Sequence, residues 1–259
     1  MYNGAFRGYM TESKVVLITG AARRIGASIA RTFHSNGYKI LIHARNSKLE
    51  AENLCSEFNR LKKNTAVALC ADFDSQSETI ELANTALSYF GRIDVLINNA
   101  SMFYPTPLIE AKPTDWDSLF NSNVKAAFFL SQALYPELTN RHGSIINIVD
   151  AHVDKPLQNH VLYNMAKSAL KSMTKTLSLE MAPQVRVNGI SPGAILWPED
   201  LEQKDNEETQ SRQKEILDSI PMKRIGSAED ISNLAYFFAE NGQYITGQVI
   251  KVDGGRSLS

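Results

Sequence analysis

Three residues near the middle of the chain have types and a spacing that suit acid–base chemistry. Tyr163 and Lys167 are four residues apart, about one turn of a helix, so their side chains fall on one face. A phenol has an ordinary pKa of ~10, and a nearby cation favours the phenolate and lowers that pKa. Asp150 lies thirteen residues before Tyr163, at the end of an apolar run. The trio could donate a proton to a substrate, although a tyrosine and a lysine at this spacing are also common on solvated helices.

Length and composition narrow the function classes. The chain has 259 residues, 43% of them hydrophobic, which is enough for one sizeable core. A formal net charge of -1 gives no support for binding to nucleic acid or to a membrane surface. Cys55 and Cys70 have no metal-ligand spacing, and the five histidines are scattered. We therefore expect a cytoplasmic protein without a metal site, with a loose leader at residues 1–12 and a single domain at 13–259.

Predicted strands and helices alternate along the whole domain. Short β-branched runs predict strands, and longer segments with helical spacing separate them. The predicted strands are 14–19, 39–43, 65–71, 93–97, 144–149, 185–190 and 248–252, and the predicted helices include one ending at 36–37 and those at 47–62, 75–90, 114–140, 228–240 and around Tyr163 up to 181. This alternation predicts a single-domain, doubly wound, Rossmann-like α/β fold of about seven parallel strands with helices on both faces.

The residues that follow each strand are the candidates for binding, because ligands of such sheets lie beyond the carboxyl ends of the strands. After the first strand, Gly20 permits a sharp turn and Gly26 permits close packing of a helix, whose N-terminus can bind a pyrophosphate. Arg24 replaces the glycine expected two residues before Gly26, so the motif alone is weak. Asp72 could accept a hydrogen bond from an adenine amino group or be a surface turn residue, and residues 98–100 supply short polar groups or an Asx turn.

The loop after the second strand bears on the choice between NAD and NADP. An NAD site usually has an acidic side chain there, but residues 43–46 read His-Ala-Arg-Asn, and no acid follows before Glu50. The guanidinium of Arg45, with that of Arg23, could pair with a 2′-phosphate. The alternative is that Arg45 is a solvated loop residue. We expect NADPH as the cofactor.

Several motifs occur in one order over about residues 14–255, and together they resemble the short-chain dehydrogenase/reductase superfamily. They are the glycine turn at 19–26, Asn98-Asn99-Ala100, Asn123 within NSNVKAAF, the Tyr163 and Lys167 pair, VRVNGISPG at 185–193 and ITGQVIKVDGG. The resemblance implies that Tyr163 donates a proton, that Lys167 binds the nicotinamide ribose and lowers the tyrosine pKa, and that Asn123 supports a proton-relay water. With the strand-end residues above, the predicted cofactor site comprises Gly20, Arg23, Arg24, Ile25, His43, Arg45, Asn46, Asp72, Phe73, Asn99, Ala100, Ser101, Lys167, Pro192 and Gly193.

Asp150 departs from the general pattern of that superfamily, in which a serine at this position polarises a carbonyl. A carboxylate cannot donate a hydrogen bond unless it is protonated, but it can interact with a basic ring nitrogen. NNASMFYPTPL at 98–108 and the segment around Asp150 are similar to the pteridine reductase branch. In that branch an aromatic at Phe103 would stack a pterin against the nicotinamide, and the predicted substrate site comprises Arg24, Ser101, Phe103, Asp150 and Tyr163. Loop packing is the alternative role for Phe103.

We therefore expect an NADPH-dependent pteridine reductase that transfers hydride to a C=N bond of a dihydropterin, either dihydrobiopterin-like or dihydromonapterin-like, with dihydrofolate or oxidised pterin as further substrates. The alternative within the superfamily is a reductase of a carbonyl in a 3-oxoacyl thioester or sugar. A third hypothesis is a non-catalytic NADP sensor. The resemblance also implies a homotetramer. The charged segment at 199–219 is predicted to be a substrate lid, or else a solvated surface helix.

Overall fold

Seven strands form one parallel sheet in the computed structural model, which describes residues 12–197 and 206–258. The order across the sheet is β3-β2-β1-β4-β5-β6-β7, so the chain crosses back over the sheet between β3 and β4. The strands are β1 (Val15–Ile18), β2 (Lys39–Ala44), β3 (Ala66–Cys70), β4 (Val95–Asn98), β5 (Ser144–Ile148), β6 (Arg186–Pro192) and β7 (Val249–Val252). The predicted fold class is confirmed.

Helices cover both faces of the sheet. They are α1 (Arg24–Ser35), α2 (Lys48–Leu61), α3 (Gln76–Phe90), α4 (Pro113–Phe120), α5 (Ala126–Arg141), α6 (Val161–Glu180), α7 (Glu207–Asp218) and α8 (Ala228–Glu240). Val16 and Ile18 of β1 face α1, α2 and α8, whereas Val15 and Leu17 face α3, α5 and α6. Because both faces of β1 are buried, every residue of the strand is apolar instead of every second one.

Local capping fixes where several of these helices begin. The Ser75 side chain accepts a hydrogen bond from the backbone N–H of Glu78 at the start of α3. Ser227 and Asp230 form a reciprocal capping box at the start of α8, so two of the unpaired N–H groups at that helix end are satisfied. The start of α3 is also tied to the end of β3, because the backbone N–H of Asp72 donates to the Glu78 carboxylate.

The predicted helical region at 114–140 is helical throughout but is not one regular α-helix. The chain leaves α4 through a π-helical turn, Asn121–Lys125, before α5 begins. The side chain of Asn123 donates to the carbonyl of Leu119 at 2.9 Å, which is the acceptor that a regular α-helix would give to the backbone N–H of Asn123. The extra residue in the turn brings the Asn123 side chain to the loop that follows β4. Single π-helical turns of this kind are common at functional sites.

The predicted lid at 199–219 is covered only in part. Residues 206–219 contain α7, whose N-cap Asn206 accepts from the backbone N–H of Thr209, while residues 198–205 lie outside the described ranges, as do residues 1–11 of the predicted leader. Within the described ranges, no helix is long and apolar enough to cross a membrane.

Candidate active site

A cavity of about 420 Å³ lies at the carboxyl ends of β1 to β4, where the sheet order reverses. Nearly all of the predicted cofactor residues line it, namely Gly20, Arg23, Arg24, Ile25, His43, Arg45, Asn46, Asp72, Phe73, Asn99, Ala100 and Ser101. Lys167, Pro192 and Gly193 are not among the residues that line this cavity. The residues that follow four separate strands therefore meet at one crevice, which is the position expected for a ligand of a doubly wound sheet.

The turn after β1 has room for glycine only. Gly20 has φ +61°, and a Cβ atom there would lie 2.8 Å from the Cα of Ala100. The hydroxyl of Thr19 accepts from the backbone N–H groups of Asn99 and Ala100, and the Asn99 side chain donates to the carbonyls of Thr19 and Gly20. A Cβ atom at Gly26 would lie 2.6 Å from the carbonyl oxygen of Gly20, so this glycine lets α1 approach the turn.

The N-terminus of α1 opens onto the cavity without a side-chain cap. Arg23 occupies the N-cap position in an extended conformation, and its side chain makes no capping hydrogen bond. Uncapped N–H groups and the positive end of the helix dipole suit an anion such as a pyrophosphate. Arg24 has φ +54°, so the residue that replaces the expected glycine adopts the left-handed backbone conformation that favours glycine. Its guanidinium donates to the carbonyl of Trp197 at 3.4 Å.

His43 connects the ends of three strands as a neutral side chain. Nδ1 accepts from the backbone N–H of Gly20 at 3.3 Å, and Nε2 donates to the carbonyl of Ala71 at 3.0 Å. The ring stacks on Phe73, with 4.4 Å between the centroids. Burial lowers the pKa of His43 to about 4. His43 therefore holds the glycine turn in place in addition to lining the cavity.

The Arg45 guanidinium pairs with two carboxylates that line the same cavity. Its Nη1 lies 3.6 Å from Oδ1 of Asp72 and 3.7 Å from Oδ2 of Asp74. Asp72 also accepts from the backbone N–H of Asp74, as in an Asx turn. A 2′-phosphate that binds Arg45 would therefore compete with these carboxylates. The sequence of the loop gives no sign of this competition.

The catalytic candidates form a hydrogen-bonded cluster between the end of β5 and α6. Tyr163 Oη donates to Oδ2 of Asp150 at 2.6 Å. The other carboxylate oxygen, Oδ1, lies 2.7 Å from both the backbone N and the imidazole Nδ1 of His152. Lys167 is buried beneath Tyr163, where its Nζ donates to the carbonyl of Ile148 at 2.9 Å. The structure therefore brings the predicted trio together and adds His152 to it.

The resemblance implies that Lys167 lowers the pKa of Tyr163, and in this structure other groups act on that pKa in the opposite direction. Burial and the adjacent Asp150 carboxylate raise the pKa of Tyr163 above its ordinary value. Burial also lowers the pKa of Lys167 to about 8. The negative charge of Asp150 is in direct hydrogen-bond contact with the phenol, whereas Nζ of Lys167 lies 5.9 Å from the ring centroid. The closer charge dominates, so Tyr163 is a phenol at neutral pH.

Asp150 is ionised in this cluster. Burial alone would raise its pKa, but the hydrogen bonds and the charge of His152, together with the hydrogen bond from Tyr163, leave the pKa below its ordinary value. An ionised carboxylate only accepts hydrogen bonds. The cluster can therefore hold the Tyr163 proton in place until a stronger base is bound nearby.

Asn123 supports the loop that follows β4. Its Oδ1 accepts from the Ser101 hydroxyl at 2.7 Å, and its Nδ2 donates to the carbonyls of Met102 and Leu119. The side chain is buried, and none of the hydrogen bonds found in the described ranges joins it to Tyr163 or Lys167. Its contacts position Ser101 beside the cavity; the relay role remains a prediction.

Phe103 presents an aromatic face at the mouth of the site. The side chain is 56% exposed, and its ring stacks on His160, with 4.7 Å between centroids and an interplanar angle of 16°. Its ring is also perpendicular to that of Tyr163 at 4.8 Å. An exposed aromatic ring beside the phenol can contact a flat substrate by stacking.

Gly193 lies on the far side of the catalytic cluster. It lines a second cavity of about 200 Å³ together with His152, and its backbone N–H donates to the carbonyl of Val252. Pro192 ends β6 beside it. Neither of the two predicted nicotinamide contacts lines the first cavity.

Two histidines contribute to the site without having been predicted to do so. His152 contacts Asp150, and His160 stacks on Phe103. The first could have been anticipated, since an aspartate followed two residues later by a histidine can form an Asx turn that brings their side chains together. The contact of Phe103 with His160 joins distant parts of the chain and has no local signal.

Comparison with known proteins places the chain in a family. The family model described as enoyl-(acyl carrier protein) reductase matches residues 20–257, which is almost all of the described chain. The chain belongs to the short-chain dehydrogenase/reductase superfamily. The predicted resemblance is therefore confirmed at this level.

The names of related proteins point to two different classes of substrate. This reductase is 35% identical to pteridine reductase 1 of Leishmania tarentolae, with 95% of this chain and 96% of the relative covered. It is 34% identical to a 3-oxoacyl-(acyl-carrier-protein) reductase of Buchnera aphidicola, covering 95% and 98%, and 33% identical to one of Staphylococcus aureus, covering 95% and 99%. Identity alone therefore leaves the substrate open between a pterin and a carbonyl compound.

Proposed function

We propose that this oxidoreductase is an NADPH-dependent pteridine reductase. The observation that carries the proposal is the Asp150 carboxylate, which accepts the hydrogen bond of the Tyr163 phenol at 2.6 Å. A group that polarises a carbonyl must donate a hydrogen bond, and an ionised carboxylate cannot. A carboxylate can instead pair with the protonated ring nitrogens of a pterin. The substrate would be a dihydropterin of the dihydrobiopterin or dihydromonapterin type, with dihydrofolate and oxidised pterin as further candidates.

Each group in the proposed site has a separate role in the reaction. NADPH, when bound, supplies the hydride. Tyr163 donates its proton to the ring nitrogen next to the carbon that receives the hydride, and its raised pKa keeps it protonated until then. Asp150 orients the phenol, and the exposed ring of Phe103 stacks on the bicycle.

The cavity along β1 to β4 supports the cofactor part of the proposal. Only glycine fits the turn at Gly20, the uncapped N-terminus of α1 can accept a pyrophosphate, and Arg45 with Arg23 offers charge to a 2′-phosphate. We further propose, by analogy with the superfamily, that the enzyme is a cytoplasmic homotetramer; light scattering of the purified protein would test the assembly.

The second candidate is a reductase of a 3-oxoacyl thioester, which the identities of 34% and 33% to such enzymes favour. The two functions predict opposite effects at one position. Replacing Asp150 by serine restores the side chain that polarises a carbonyl in the superfamily, so it should lower pterin turnover and raise any turnover of a carbonyl compound.

The deciding experiment follows NADPH oxidation with dihydrobiopterin and with an acetoacetyl thioester, for the wild type and for Asp150→Ser. We expect the wild type to prefer dihydrobiopterin, and the variant to lose about a hundredfold in kcat on it. Asp154→Ser is the matched control, because Asp154 pairs with Lys171 and Lys251 and has no contact with Tyr163. Turnover of the thioester alone by the wild type would refute the pterin assignment.

A further inference from the structure

We propose that His152 is the positioning residue of this site: it fixes the Asp150 carboxylate on Tyr163 and passes protons from solvent to it. The proposal rests on the proposed function only in taking Tyr163 as the proton donor, and it holds for either substrate class. Neither the tyrosine and lysine motif nor the names of the relatives include a histidine in this role.

The geometry assigns the tautomer of His152. Asp150 is ionised and can only accept, so the Nδ1 atom that lies 2.7 Å from its Oδ1 must carry a hydrogen. Nε2 is then the ring atom that faces away from Asp150 and can exchange protons with solvent. The backbone N–H of His152 donates to the same Oδ1, so two hydrogen bonds from His152 orient the carboxylate before the reaction.

Solvent reaches His152 through a cavity that shares no lining residue with the first one. The side chain is 28% exposed and lines the cavity of about 200 Å³ that is separate from the first one. The other side of Asp150 is in contact with Tyr163, which is only 4% exposed. Of the two groups bonded to Asp150, the imidazole is thus the one with access to solvent protons.

Charge balance explains why the site needs such a group. Once Tyr163 has given up its proton, a phenolate and a carboxylate face each other across the 2.6 Å contact, which is unfavourable in a buried site. The basic groups facing this pair are Lys167, held on the carbonyl of Ile148, and His152 itself; Lys155 and Arg256 line the same cavity as His152, and Asp154 faces Lys171 and Lys251 instead. His152 reaches Tyr163 through its hydrogen bond to Asp150.

The transfer conserves every proton. A solvent proton binds Nε2 of His152, and the proton on Nδ1 moves to Oδ1 of Asp150, which leaves the imidazole neutral. The carboxyl group then turns about its terminal torsion, which has a broad two-fold profile, and donates the proton to the Tyr163 phenolate. Nδ1 then takes up a solvent proton and Nε2 releases its own, which restores the starting tautomer. The net change is one proton taken from solvent by Tyr163, with no change in oxidation state.

The test compares the single-turnover rate of the enzyme, with NADPH and substrate bound, to its steady-state kcat. His152→Asn keeps an N–H group that can donate to Asp150 but has no second nitrogen to accept a solvent proton. We expect the single-turnover rate of NADPH oxidation, measured by stopped flow, to stay within about twofold of wild type, while kcat falls at least about tenfold. The substrate is dihydrobiopterin, or the acetoacetyl thioester if the wild type turns over only that compound, so failure of the proposed function is seen separately.

Chemical rescue gives the second readout. In His152→Ala, added imidazole should restore kcat several-fold without changing the single-turnover rate, because a free base can enter the space of the missing ring. His142→Asn is the control, since His142 caps α5 away from the site and should respond to neither measurement. The proposal is overturned if single-turnover rate and kcat fall in parallel without rescue, which indicates a structural role, or if neither changes. Thermal melting identifies variants that fail to fold, and in that case the asparagine variant decides.

Discussion

The cofactor cavity and the catalytic cluster of this reductase are built in different ways. Around the cavity, the key contacts involve backbone: Gly20 approaches Ala100, and His43 binds a backbone N–H and a carbonyl. In the cluster, the key contacts are between side chains, with Asp150 accepting from Tyr163 and His152. The first region therefore depends on chain geometry, and the second depends on which charged groups meet.

This difference implies that the two regions can be damaged separately. A change of backbone conformation should impair cofactor binding and stability together, because the same turn supports both. A change of one functional group in the cluster should impair chemistry and leave cofactor binding intact. The four predictions below test this separation.

Tyr163→Phe should have the largest effect. It removes the hydroxyl that donates to Asp150 Oδ2, so we expect kcat to fall about a thousandfold while the Kd for NADPH changes less than about twofold. Steady-state kinetics and fluorescence titration measure the two quantities. Tyr135→Phe, on α5, is the control for loss of a phenol elsewhere. A large change in NADPH affinity would mean that the two regions are coupled.

Gly20→Ala should lower the free energy of unfolding by about 2 to 4 kcal/mol and weaken NADPH binding at least tenfold. Residue 20 has φ +61°, and an added Cβ would lie 2.8 Å from the Cα of Ala100. Backbone strain and steric overlap therefore both oppose the alanine. Gly37→Ala is a matched control, because Gly37 has φ +87° and nothing within 4 Å of the added atom. We expect it to lose about 1 kcal/mol from backbone strain alone and to bind NADPH normally. Denaturant titration with and without NADPH distinguishes the two glycines.

His43 should make the fold sensitive to acid. Its folded pKa of about 4 is below the unfolded value of 6.5, so the unfolded state binds more protons between those values and stability falls as the pH drops. From pH 7 to pH 5 we expect His43 to account for a loss of about 2 kcal/mol in the free energy of unfolding. His43→Asn should flatten this slope, and His142→Asn should leave it unchanged. Equal slopes in wild type and His43→Asn would refute the assignment of a neutral buried ring.

Arg45→Ala should have the smallest effect. We expect the Kd for NADPH to rise about tenfold and that for NADH to change less than about twofold, because only the 2′-phosphate would lose a partner. The Asp72 and Asp74 carboxylates already pair with this guanidinium, so the free energy gained when it binds a 2′-phosphate is reduced. Arg31→Ala is the control, since Arg31 pairs with Glu57 outside the cavity. Equal effects on both cofactors would show that Arg45 does not select NADPH.

The sequence by itself determined the order of strands and helices and the residues of the cofactor crevice. Both follow from local patterns: buried parallel strands read as apolar runs, and the residues that end them must meet at one edge of the sheet. For this reason Gly20, His43, Asp72 and Asn99 could be assigned to one cavity before any contact was known, and the structure brings them there.

Only the tertiary structure decided the electrostatics and the irregular elements. The pKa of Tyr163 is raised by burial and by the hydrogen-bonded Asp150 carboxylate, and periodicity carries no information on either. The π-helical turn at Asn123 depends on a side chain that also binds Met102, some twenty residues earlier in the chain. The pairing of Arg45 with Asp72 and the stacking of Phe103 on His160 likewise join residues that only folding brings together.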